Sequence, residues 1–140
     1  MSDNTQMAAD WFPFHEKTPS PEQIRATFRR YAAAITAHDL DGIVQQFAPN
    51  GTMDDPVGSP TVRGHDAIRK FFEAGYEASG GSMIFKLETA IRVAGRQAAA
   101  ATLIHTPRYR VESVGVLTFD ENALITNVKA YYGSTNIFPV

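Results

Sequence analysis

The chain contains no cysteine. Disulfides, thiolate nucleophiles and cysteine-bound zinc are therefore excluded, and the composition fits a reducing cytosol. Charge is sparse: 20% of the 140 residues are Asp, Glu, Lys or Arg, with a net charge of −2. No basic cluster exceeds Arg29-Arg30, so no nucleic-acid partner is expected. Long apolar runs are missing too. Runs such as Ala98 to Ala101 are far too short to cross a bilayer, so no membrane partner is expected. No basic region followed by an apolar run stands near Met1, so no signal peptide is read and a cytoplasmic protein is expected. His15, His38, His65 and His105 lack the i, i+4 spacing of metal ligands, so no metal is expected. Ser-His-Asp order, a phosphate loop and a dinucleotide fingerprint are all absent.

What is present is material for a core. Apolar residues make up 44% of a chain whose length suits one domain. Residues 1–20 read as an N-terminal arm and residues 21–140 as a single folded domain. The arm carries Trp11-Phe12-Pro13-Phe14. Such an aromatic cluster suits docking onto a surface; a disordered leader is the other reading.

Ser20-Pro21-Glu22-Gln23 is a helix start with a capping box. Ile24, Phe28, Tyr31 and Ile35 then recur at helical spacing, to about Ala37. Asp39 caps a second short helix with Leu40, Ile43, Val44 and Phe47 on its apolar face, ended by Pro49-Asn50-Gly51. Thr52 to Asp55 reads as a short strand. Gly64-His65-Asp66 opens a third helix, closed by Gly80-Gly81. The remainder is strand-like: Met83 to Ile91, Ala98 to His105, Tyr109 to Phe119 and Leu124 to Tyr132, with turns at Gly95, Pro107 and Asp120-Glu121-Asn122. Helices first and strands afterwards predict an α+β layer fold, with the helices on one face of an antiparallel sheet.

The stretch Met53-Asp54-Asp55-Pro56-Val57-Gly58 holds the chemistry. Strand alternation puts Asp54 and Asp55 on opposite faces, with Asp54 solvated. A carboxylate facing an apolar pocket has a raised pKa and suits a general base. A tyrosine in the same pocket, Tyr31, suits donation to a developing oxyanion. Each also has a plain alternative: Asp55 as a turn carboxylate before proline, Tyr31 as a core tyrosine.

The runs Tyr31 to Ala34, Asp39 to Val44, Asp54 to Gly58 and Gly64 to Ile68 together resemble the bacterial steroid Δ5-3-ketoisomerases. So do Phe119 to Asn122 and Lys129 to Tyr132. The similarity spans roughly residues 21–137, and Asp55-Pro56-Val57-Gly58 is its most specific part. The wider superfamily is the nuclear-transport-factor-2-like and polyketide-cyclase-like (SnoaL-like) group. The resemblance implies a cone-shaped, curved antiparallel sheet against three N-terminal helices, a deep apolar pocket and a homodimer formed by the sheets. It implies Asp55 as general base and Tyr31 as oxyanion donor, acting without a cofactor on a hydrophobic, steroid-like substrate.

The family's second donor, a protonated aspartate, falls on Gly115. Its supporting tyrosines fall on Phe47 and Phe72. Parity adds Val128 and Tyr132 to the pocket; Met83, Phe85 and Leu117 are core or pocket wall, which in a cone are one surface. If Leu103 pairs with Ser113, His105 shares the face of Gly115; one residue of slip turns it outward. A ketosteroid-isomerase-like enzyme is therefore expected. A polyketide cyclase, dehydratase or hydrolase using Asp55 as acid/base is a second reading, and a non-catalytic binder of apolar molecules a third.

Overall fold

A computed structural model describes residues 18–140 of the chain. The aromatic arm segment Trp11 to Phe14 lies outside them. Helix α1 spans Pro21–Thr36. The Ser20 hydroxyl accepts from the Gln23 amide, and the Gln23 side chain accepts from the Ser20 amide. This reciprocal cap satisfies two amides that a helix start leaves unpaired. Ile24, Phe28, Tyr31 and Ile35 are all buried. Helix α2 spans Leu40–Gln45, capped by Asp39. It is shorter than expected, because Phe47 already begins strand β1, Phe47–Asp54.

Pro49-Asn50-Gly51 therefore interrupts a strand and does not end a helix. The β1 register shifts between Phe47 and Thr52, which accommodates these turn-forming residues as an irregularity. Strand β2 is Val62–Arg63, and helix α3 runs His65–Ser79. Gly80 closes α3 with φ +97, a left-handed conformation that glycine adopts without a Cβ clash.

The remaining strands are β3 (Ile84–Leu87), β4 (Arg92–Ala94), β5 (Gln97–His105), β6 (Tyr109–Phe119), β7 (Ile125–Tyr131) and β8 (Ile137–Pro139). The expected run Met83 to Ile91 is thus only partly strand. The order β2-β1-β7-β6-β5-β3 forms one open, curved sheet against the three helices, with β4 also on β5 and β8 also on β6. One feature departs from the antiparallel expectation: β1 runs parallel to β7, so the sheet is mixed. Parallel partners are joined by long crossovers, and residues 55–124 separate these two. Ile24, Phe28, Ile43, Ile68, Leu117 and Ile125 sit between helices and sheet with no exposure above 1%.

Among the described residues, no helix is long and apolar enough to cross a membrane.

Candidate active site

The concave side of the sheet and the helices α1 and α3 enclose a cavity of about 160 Å³. A single water needs roughly 10–15 Å³ on this scale, so the space suits a sizeable ligand. Most of the wall is apolar. Phe28 and Ile35 come from α1, Phe71 and Phe72 from α3. Met83 and Phe85 come from the segment around β3, and Leu117 and Val128 from β6 and β7.

Asp55 follows β1 directly. Asp54 is registered with Lys129, and the Val57 amide donates to Ala130 O at 2.9 Å. These contacts hold residue 55 against the inner face of β7, where it lines the cavity. The residue keeps some exposed surface, but its carboxylate lies in the densely packed wall. Burial raises its pKa above the ordinary carboxylate value, and a hydrogen bond from Tyr132 partly offsets the rise. That bond, Tyr132 Oη to Asp55 Oδ1, is 2.8 Å long. Burial and the Asp55 charge in turn hold the Tyr132 phenol far above its ordinary value, so it remains protonated and donating.

Tyr31 reaches the same cavity from α1. Its ring meets Phe47, Phe72 and Phe85 edge-on, at centroid distances of 5.6, 6.2 and 6.0 Å. Three such contacts fix the ring plane. Among the described residues its hydroxyl has no hydrogen-bond partner, yet it is not a sealed, unsatisfied group. It is a donor held open to the cavity. Burial and the Asp55 charge raise its pKa well above 10.0.

Gly115 also lines the cavity, as the resemblance implied. A Cβ there would find ordinary contacts, the nearest being Phe28 Cζ at 3.7 Å. Phe72, Met83, Phe85, Leu117, Val128 and Tyr132 line it as well.

Two expectations are corrected. Phe47 is buried behind the Tyr31 ring and does not line the cavity. His105 faces away, because Thr102, and not Leu103, pairs with Ser113. The tight turn from Thr106 to Tyr109, where the Thr106 amide and hydroxyl both donate to Tyr109 O, sets that register. Ala100, Thr102 and Ile104 consequently share the face of Gly115.

Asp54 does face outward, but it is not simply solvated. Lys129 Nζ is 2.9 Å from it, and the Thr61 hydroxyl donates at 2.6 Å. The Thr61 bond, then the Lys129 bond, hold its pKa down at about 2. Two adjacent aspartates thus have opposite shifts, set by the face each occupies. Sequence reasoning placed Tyr132 on the inner face but missed its bond to Asp55. It also missed Ser79 and Tyr109, whose hydroxyls meet at 2.8 Å in the cavity wall.

Among the described residues, no three His, Cys, Asp or Glu side chains converge as a metal site would require.

Comparison with known proteins agrees with this architecture. A model of the SnoaL-like domain matches residues 28–128. The chain belongs to the SnoaL-like family of the nuclear-transport-factor-2-like superfamily. Over 114 residues it is 32% identical to the steroid Δ-isomerase of Nocardioides simplex, covering 79% of this chain and 89% of that one. It is 28% identical to the epoxide hydrolase LasB of Streptomyces lasalocidi, covering 85% of this chain but only 50% of LasB. Both relatives are enzymes. In three dimensions the SnoaL-like fold superposes on the epoxide hydrolase/cyclase-like enzyme SalBIII of salinomycin pyran-ring formation with a TM-score of 0.77. That similarity has 22% identity and covers 85% of this chain and 97% of SalBIII. The crystal structure of RV0760c from Mycobacterium tuberculosis gives a TM-score of 0.74 at 18% identity, covering 82% and 98% of the two chains.

Proposed function

We propose that the protein is a ketosteroid-isomerase-like enzyme that shifts a carbon–carbon double bond next to a carbonyl. One observation carries this reading: a buried carboxylate of raised pKa and an unpaired tyrosine hydroxyl share one apolar cavity. Asp55 takes the proton from the carbon between the carbonyl and the double bond. The freed C–H electron pair forms a dienolate, and its negative charge moves to the carbonyl oxygen. Tyr31 donates a hydrogen bond to that oxygen as the charge develops. The Asp55 carboxylic acid returns the same proton to the far carbon of the allylic system, leaving a conjugated enone. The proton is conserved and the carbonyl itself carries the charge, so no cofactor takes part.

Burial suits this base. A carboxylate of raised pKa accepts a proton from carbon more readily, provided it stays ionised at working pH. Tyr132 supports that proviso by stabilising the ionised form.

The relation to the N. simplex steroid isomerase supports a steroid-like substrate. The test is an assay of a β,γ-unsaturated 3-ketosteroid for enone absorbance. Asp55→Asn is expected to lower the rate by roughly 10²–10⁴-fold while still binding ligand. A rate unchanged by this substitution overturns the reading.

Gly115 favours a second reading. An isomerase whose second donor is missing loses about 3 kcal/mol of transition-state stabilisation. The similarity to LasB supports a hydrolase or cyclase that uses Asp55 as acid/base on an epoxide-bearing apolar substrate. No enone absorbance, together with Asp55-dependent opening of such an epoxide, selects this alternative.

The same reading includes a homodimer through the convex sheet face. Val114 and Tyr131 are registered partners there, 44% and 47% exposed. Sedimentation of the parent and of Tyr131→Asp tests it, and a monomeric parent overturns it.

A further inference from the structure

The cavity has a second polar locus away from Asp55. Ser79, the last residue of α3, is fully buried, and its hydroxyl lies 2.8 Å from that of Tyr109. Both side chains line the cavity. Tyr109 opens β6 and lies on the same face as Ser113 and Gly115. Tyr131 pairs with Val114, so Tyr132 lies level with Ser113. From Ser113 back to Tyr109 the strand advances about 13 Å. Along the sheet, the backbone of Tyr109 thus lies beyond that of Tyr132, while the two phenols remain close enough to interact electrostatically.

A count of donors shows what this pair lacks. Two hydroxyls bring two O–H donors, and one is consumed between them. Among the described residues, neither oxygen has another partner. Ser79 does not bond back to the carbonyl of Gly75, the common use of a serine within a helix. One O–H is therefore left over, in a cavity to whose lining Met83, Ile104 and Val111 also contribute. A donor left unused among apolar side chains is costly, and an acceptor brought by a ligand removes that cost.

We propose that the Ser79–Tyr109 pair anchors a second oxygen of the ligand, a carbonyl or hydroxyl remote from the carbon that reacts at Asp55. The substrate class that follows is an extended apolar body with an oxygen function at each end. The assignment of the reacting end rests on the isomerase reading. The anchoring is a binding property and is measured as one.

The experiment uses two conjugated 3-ketosteroids, which as products of the proposed reaction do not turn over. One carries a second ketone on its far ring, and the other has a methylene there. Dissociation constants are measured for the parent, Tyr109→Phe, Ser79→Ala and the double variant. Each substitution removes one oxygen and little volume, and thermal melting checks the fold. The parent is expected to bind the diketone about three- to tenfold more tightly. Each single variant should reduce this preference, and the double variant should abolish it while leaving methylene-ligand affinity within about twofold. Tight but equal binding of both ligands by the parent overturns the anchoring and leaves the isomerase reading standing. A preference that survives in the double variant also overturns the anchoring. Failure of the folded parent to bind either ligand overturns the steroid reading and the anchoring together.

Discussion

Tyr132 donates its hydroxyl to Oδ1 of Asp55 at 2.8 Å, across 77 positions of sequence. Burial raises the pKa of this carboxylate, the tyrosine lowers it, and burial is the larger effect. Among the described residues Oδ2 has no such donor, which leaves it free for the proton transfer proposed above. Tyr132→Phe is expected to raise the Asp55 pKa further. The acid limb of the pH–rate profile should move to higher pH. On the high-pH plateau the rate should change by less than about tenfold, since one hydrogen bond is lost. An unmoved limb would show that Tyr132 does not tune the base.

Tyr31→Phe separates catalysis from stability. The hydroxyl bonds to no described residue, so its loss leaves no protein group unpaired. The ring contacts with Phe47, Phe72 and Phe85 remain. The turnover number should fall roughly 10²–10³-fold, as for loss of an oxyanion donor. The melting temperature should hardly change. A large fall in melting temperature with little loss of rate would mark Tyr31 as a structural tyrosine.

Gly115→Asp tests the missing donor. A Cβ at this position meets nothing closer than 3.7 Å, and the carboxyl would extend into an apolar wall that favours its protonated form. Ketosteroid turnover should rise, by up to about a hundredfold if the new acid is well aimed. A sharp fall with the fold intact would show that the substrate occupies this space.

Asp54 and Asp55 should give opposite slopes of stability against pH. The Asp54 pKa is lowered, so its contribution is complete above the ordinary value of 3.8 and is lost as pH falls towards about 2. Denaturant midpoints of Lys129→Met should therefore decline less over this acid range than those of the parent. The Asp55 pKa is raised, so its contribution is present below the ordinary value and lost as pH rises through the folded value. Asp55→Asn should be more stable than the parent at neutral pH, with the advantage shrinking in acid. A parallel pair of pH curves would refute the assignment.

Local chemistry made much of the fold readable. The capping box at Ser20 and Gln23, and the full extent Tyr109 to Phe119 of β6, depend on neighbouring residues and were predictable from them. Parity placed Tyr132 and Val128 inward and Asp54 outward. Register was less accessible. Pro107 announced a turn, but the hydrogen bonds of Thr106 decide which residues oppose one another, and that choice turns His105 outward. The parallel pairing of β1 with β7, and the contact of Asp55 with Tyr132, join distant segments and leave no local trace. Phe47 was misplaced for a related reason: its apolar side chain fits a helix face as well as the strand it begins.

The order in which this chain leaves a ribosome gives the β1–β7 pairing a temporal meaning. Asp55 emerges early, with α1, α2 and β1 already made. Its neighbours Ala130 and Tyr132 emerge some seventy-five residues later. Until then the carboxylate has no wall of β7 to desolvate it and no phenol to hold Oδ1. It is an ordinary acidic side chain on an unfinished sheet. Because the domain folds as a unit, the Asp55 carboxylate keeps its ordinary acidity until β7 has been made. The pKa of Asp55 rises only when the last long strand is laid beside the first.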